Sequence, residues 1–156
     1  MLSKKLILVL SVGILAVAPA GSDDEEKVLQ GAGTSLVTGG TGTPDFVPVL
    51  TKFGVHWRGG RGRLDCLALA PSVPAGSPGS GSFDTNVMYV TGDITSFEVR
   101  GAIAVLGGSA TVTGLGAGSN RPFTARAERG GPGTRFVLTV SGLTFEETVL
   151  EGEIKF

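Results

Sequence analysis

The side chains best suited to catalysis are those of the only histidine and the only cysteine, His56 and Cys66, with Asp65 beside the cysteine. A cysteine and a histidine act as nucleophile and base only when they lie within hydrogen-bonding distance. Residues around both alternate between apolar and polar, which predicts strands whose successive side chains face opposite sides. We therefore expect His56 on the polar side and Cys66 facing the core as a small buried residue. An intermolecular disulfide or a nucleophilic role is the alternative for Cys66.

Other kinds of catalytic or metal site lack the residues that they need. A zinc site needs three or four ligands, and one histidine plus one cysteine falls short. No nucleophile-elbow motif accompanies His56. Glycoside hydrolysis by two carboxylates stays open as an alternative, with Asp45, Asp65, Asp84 and Asp93 as the available acids. We predict no catalytic residues, no metal site and no cofactor.

Three arginines cluster around one predicted hairpin turn, close to the only tryptophan. The turn spans residues 59–62, and the four side chains are Trp57, Arg58, Arg61 and Arg63. Guanidinium groups beside an aromatic ring can contact an anionic glycan or surface polymer. These four residues are the candidate ligand-binding site, and the alternative is a turn whose charges only increase solubility.

The N-terminus has the pattern of an export signal. Lys4 and Lys5 precede a 12-residue apolar run, and Ala18 and Ala20 fit a cleavage site before Gly21. The run is too short to span a bilayer. We predict a signal peptide at 1–20, an acidic spacer at 21–27, and a secreted or envelope-exterior protein, with the periplasm as an alternative.

Charge and cysteine content limit the partners. Residues 21–156 carry 11 Lys and Arg against 14 Asp and Glu, a net charge of −3. This sign disfavours binding to nucleic acid or to anionic lipid. One cysteine allows no intramolecular disulfide, so the core alone must stabilise the fold. We expect a monomer whose partner is an extracellular protein or a polysaccharide.

Residues 28–156 have the pattern of a single all-β domain. Period-two runs of mostly five to eight residues are separated by glycine-rich turns, and no helix-like segment is present after the signal. Eight or nine short strands suit a small antiparallel barrel or a two-sheet sandwich. We predict a loop at 70–82, which is rich in Pro, Gly and Ser, and no membrane span after cleavage of the signal. The runs lie at 52–58, 63–69, 94–99, 102–106, 110–115, 123–128 and 136–140, with a last strand at Ile154 and Phe156.

Small residues at expected inward positions would leave room for a ligand inside a barrel. They are the residues at 102, 104, 110, 125 and 127, and the expected lining is Phe53, Trp57, Phe123 and Phe136. A binding barrel for a small ligand or glycan is therefore an alternative function.

The order of short motifs resembles the post-COAP domain, a small β-rich module of secreted bacterial proteins. The motifs are Val28-x-x-Gly31-x-Gly33, Phe53-Gly54-Val55, Gly62-Arg63-Leu64, Ile94-Thr95-Ser96-Phe97, Ala110-Thr111-Val112-x-Gly114, Pro132-Gly133, Phe136-x-Leu138 and Gly152-x-Ile154. The resemblance implies a compact secreted β domain and no known catalytic residues. Members tend to carry an acidic turn, but residues 128–135 here keep one acid and gain two arginines. The expected function is a non-catalytic extracellular structural or interaction module, ahead of the binding barrel and of an extracellular hydrolase.

Overall fold

The computed structural model describes residues 27–42, 48–74, 76–78 and 81–156. Eight antiparallel strands form a closed barrel in which each strand pairs with the next and β1 pairs with β8. The all-β prediction is confirmed, and the barrel is the alternative that forms. The predicted signal peptide and residues 21–26 of the spacer lie outside the described residues. The strands are β1 (Leu29–Gly39), β2 (Leu50–Arg58), β3 (Arg61–Pro71), β4 (Phe83–Arg100), β5 (Ile103–Gly114), β6 (Gly118–Glu128), β7 (Arg135–Val140) and β8 (Leu143–Lys155).

Alternation of apolar and polar residues builds the barrel wall. On β2, Phe53 and Val55 are buried while Lys52 and His56 are exposed. Every strand contributes inward apolar side chains to one shared core. At its centre the rings of Phe53 and Phe136 stack with centroids 5.1 Å apart. The interior is therefore packed with side chains along most of its length.

Strand lengths differ from the sequence-based prediction of five to eight residues. The strands run from 6 to 18 residues. Ala70 and Pro71 pair with Thr85 and Phe83, so the connection begins after Pro71 and the predicted loop boundary at 70 was wrong. The last strand begins at Leu143 instead of near Ile154, and Phe156 lies outside it. The ring of Phe156 instead packs under the guanidinium group of Arg129, 4.4 Å from its centroid.

The antiparallel strands give the barrel two distinct ends. One end, the mouth, carries the β1–β2 and β3–β4 connections and the turns at 115–117 and 141–142. The other end, the tip, carries the turns at 59–60 and 101–102 and the connection at 129–134. Within the described residues, no helix is long and apolar enough to cross a membrane.

Candidate functional site

An apolar pocket of about 320 Å³ opens at the mouth of the barrel. Among the described residues, no polar side chain contributes to its lining, which comes from Val37, Gly42, Val49, Ala68, Ala70, Val87, Met88, Leu115 and Phe145. Space is left because β3 presents only the methyl groups of Ala68 and Ala70. The ring of Phe145 packs directly under Gly42, where any Cβ atom would overlap it. The pocket is thus a preformed apolar concavity of the kind that takes small ligands.

A cluster of three polar side chains lies one inward position deeper than the pocket. Each polar residue is two positions from a residue that lines the pocket. Ser35 on β1 precedes Val37, Thr51 on β2 follows Val49, and Glu147 on β8 follows Phe145. Because inward side chains recur every second residue, each polar group sits next to a pocket-lining residue. The cluster therefore lies next to the pocket, at the seam where β1 meets β8.

The three polar groups contact one another closely. The Oγ atom of Ser35 lies 2.5 Å from Oε2 of Glu147 and 2.5 Å from Oγ1 of Thr51. The hydroxyl of Thr51 also contacts Oε2 of Glu147. All three side chains are buried, with Glu147 only 2% exposed. They are the buried polar or charged residues of the described part of the chain.

Burial controls the ionisation of Glu147 and Cys66. Removal from water raises the pKa of Glu147 above its ordinary value, and the hydrogen bonds with Ser35 and Thr51 offset part of this rise. Burial also raises the pKa of Cys66 well above its usual range, with a further contribution from the neighbouring Glu147. Cys66 is a buried free thiol, and His56 is exposed on the outer wall. The prediction that they face opposite sides is confirmed.

The four residues of the predicted ligand site lie at the opposite end of the barrel, around the tip. Trp57 is half-buried against Phe97, with ring centroids 5.8 Å apart. Arg58 and Arg61 are paired across the turn. The guanidinium group of Arg63 donates hydrogen bonds to Asp65 at 3.2 Å and to Thr91 at 2.5 Å. Arg63 therefore binds its neighbours on the outer wall and does not contribute to the Trp57–Phe97 contact.

None of the described acids considered for glycoside hydrolysis lines the mouth pocket. Asp65 is on the outer wall, where burial raises its pKa but hydrogen bonds from Thr91, Tyr89 and Arg63 outweigh that effect and lower it. Asp84 and Asp93 are exposed, and Asp45 lies outside the described residues. At the 128–135 turn, the carboxylate of Glu128 accepts a hydrogen bond from the backbone N–H of Arg135 at 3.1 Å. Within the described residues, no group of three His, Cys, Asp or Glu side chains could hold a metal ion.

The space expected inside the barrel is occupied. Phe53, Phe123 and Phe136 are buried in the core instead of lining a cavity. Ala104, Ala110, Ala125 and Ala127 are buried as expected, but Ala102 is exposed in the turn at the tip, so its predicted inward position was wrong. The pocket that does form lies at the mouth, with none of these residues in its lining.

Sequence reasoning missed the Glu147 cluster, although the sequence contains a signal for it. Glu147 lies between Phe145 and Val149 in an alternating run, and Thr51 lies between Val49 and Phe53. Period two therefore assigns both polar residues to the inward face.

Comparisons with protein-family models, curated proteins and solved structures found no match.

Proposed function

We propose that this protein is an exported, non-catalytic β-barrel that binds a small apolar molecule in the pocket at its mouth. The observation that carries the proposal is the pocket itself, a preformed concavity of about 320 Å³ walled by apolar side chains and Gly42. This volume is at the lower end of the range for small-molecule sites. It favours a compact ligand over a lipid-sized one.

The chemistry of the wall defines the ligand class. A charged or strongly polar group placed there would lose its water and find no side-chain partner among the described lining residues. An apolar molecule gains from the same transfer, roughly in proportion to the apolar surface removed from water. The proposal therefore specifies a neutral, mainly hydrocarbon or aromatic ligand.

Fluorescence titration with the neutral apolar dye N-phenylnaphthylamine tests this proposal. The Ala68→Leu variant adds three carbon atoms inside the pocket, and we expect the dye affinity to fall by at least about tenfold. Ala102→Leu makes the same change in the exposed turn at the tip, so it should bind the dye as the wild type does. Unchanged affinity in Ala68→Leu, or no binding to the wild-type protein, would refute the proposed site.

Export is the second part of the proposal and rests on the N-terminal sequence. When the full chain is expressed in a bacterial host, we expect the exported protein to begin at Gly21. Mass spectrometry of the exported fraction measures this directly. An intact N-terminus found only inside the cells would contradict it. The resemblance to the post-COAP domain stays a prediction.

A further inference from the structure

The three oxygen atoms of the Glu147 cluster require three hydrogens. Oγ of Ser35, Oγ1 of Thr51 and Oε2 of Glu147 are all in mutual contact. Two oxygens approach to about 2.5 Å only with a hydrogen between them. Serine and threonine supply one hydroxyl hydrogen each. A proton on the carboxyl group of Glu147 would supply the third hydrogen.

A protonated Glu147 completes a closed ring. Its O–H group donates to one hydroxyl, that hydroxyl donates to the other, and the second hydroxyl donates back to Oε2. With an ionised Glu147, both hydroxyls would donate to the carboxylate, and the contact between Ser35 and Thr51 would have no hydrogen. The ring joins β1, β2 and β8, and the pocket is lined by Val37 on β1, Phe145 on β8 and Val49, the residue directly before β2.

Among the described residues packed around Glu147, no cation compensates a charge on its carboxylate. Its register partners are Val37 on β1 and Phe136 on β7, both apolar. Cys66 on β3 is the other buried titratable group near it, and because burial raises the pKa of this thiol it stays neutral and supplies no positive charge. Arg135 pairs with Glu146 at 2.9 Å on the outer wall, where both side chains are largely exposed. An ionised Glu147 would therefore have to draw water from the nearest opening.

That opening is the pocket at the mouth. Val37 pairs directly with Glu147 and also lines the pocket, and paired side chains on one face have Cβ atoms about 5 Å apart. An apolar molecule in the pocket would close this path for water. Binding of the ligand and retention of the proton should therefore favour each other, since coupling between two sites is reciprocal.

We propose that Glu147 is held protonated in a closed hydrogen-bonded ring with Ser35 and Thr51, and that loss of this proton releases the apolar ligand from the mouth pocket. This inference rests on the proposed function and adds pH as the regulator of the same site. Because the pKa of Glu147 is raised in the folded protein, the folded state binds the proton more tightly than the unfolded state does. The resulting stabilisation is complete below the unfolded pKa of about 4.3 and is lost as the pH rises through the folded value.

Titration with N-phenylnaphthylamine between about pH 5 and about pH 9 tests the coupling, a range that includes pKa values known for buried glutamates. We expect the affinity of the wild-type protein to fall about tenfold per pH unit above the folded pKa, as linkage to one proton requires. Glu147→Gln should bind the dye equally well throughout, because an amide nitrogen donates to both hydroxyls and does not titrate in this range. Glu146→Gln makes the same change at the neighbouring position on the outer wall and should keep the wild-type profile.

The outcomes separate this inference from the proposed function. Identical pH profiles for the wild-type protein and Glu147→Gln, with dye bound by both, would overturn the inference alone. Absence of dye binding to the wild-type protein at every pH would refute the proposed function and the coupling together.

Carbon-13 NMR of the glutamate side chains measures the protonation of each carboxyl group in the wild-type protein, with no ligand added. We expect one glutamate carboxyl of the wild-type protein to titrate at a higher pH than the others, because burial raises the pKa of Glu147. Should every carboxyl titrate near its ordinary pKa, the protonated ring would be refuted.

Discussion

The Oγ atom of Ser35 lies 2.5 Å from Oε2 of Glu147 although the two residues are 112 positions apart. Ser35 lies on the first strand and Glu147 on the last, so this contact spans the seam that closes the barrel. Polar contacts at a seam specify one register, because a shift by one residue would move each polar side chain to the other face of the wall. The same contact also lies next to the mouth pocket, through Val37.

Loss of the Ser35 hydroxyl should destabilise the barrel. Ser35→Ala leaves buried oxygens of Thr51 and Glu147 with one partner fewer, which costs about 1–3 kcal/mol of unfolding free energy. Urea unfolding measures this change. Ser119→Ala removes an exposed hydroxyl on β6 and should stay within about 0.5 kcal/mol of the wild type. Equal stability of the two variants would contradict the role of the ring.

Cys66 should not react in the folded protein. Its thiol is buried and its pKa is raised, so both access and thiolate content are low. We expect iodoacetamide to modify the folded protein at least about 100-fold more slowly than the urea-unfolded chain, because modification requires opening of the barrel. Mass spectrometry follows the reaction. Rapid labelling under native conditions would show that Cys66 is accessible, contrary to its position in the core.

Gly152 should not tolerate a side chain. Its φ angle is +100°, and a Cβ atom there would overlap the backbone carbonyl oxygen of Ala32 on the neighbouring strand β1. We expect Gly152→Ala to lower the free energy of unfolding by at least about 2 kcal/mol, because the alanine backbone would be strained at this φ angle and its methyl group would push β1 away from β8.

Gly54→Ala is the matched control for that substitution. Apart from the two adjoining residues, no described residue has an atom within 4 Å of the position a Cβ would take at Gly54, so the added methyl group has room. The same change should be neutral or stabilise by up to about 1 kcal/mol. Thermal unfolding of both variants decides the comparison, and equal effects would argue against the close approach of β1 and β8 at Gly152.

The alternating pattern was sufficient to predict the fold class, but not the strand ends. Phe53, Val55, Leu64 and Cys66 face the core because period two is strong there. The first part of β4 was missed because Asp84, Thr85 and Asn86 form an exposed polar run at the rim. Ladder hydrogen bonds with β3 extend the strand through this run, and their formation depends on tertiary pairing.

The site was harder to predict because its parts come from distant segments. Val37, Ala70 and Leu115 are ordinary apolar residues, and their shared pocket exists only once the barrel closes. The predicted site emphasised Trp57 and the arginines because their side chains are chemically conspicuous. The alternation of Phe145, Glu147 and Val149 was sufficient to predict that Glu147 faces inward. Its contacts with Ser35 and Thr51 could not be predicted, because they form only when β1 pairs with β8.

NMR signals of Met88 and Trp57 allow the most direct test of where an apolar ligand binds. Met88 lines the mouth pocket, and the only other methionine is Met1. Trp57, the only tryptophan, lies at the opposite end. During titration with N-phenylnaphthylamine, we expect the methyl NMR signal of Met88 to shift in parallel with the dye fluorescence, and the indole N–H signal of Trp57 to stay fixed. A shift of Trp57 with Met88 unmoved would place binding at the tip and contradict the mouth pocket as the ligand site.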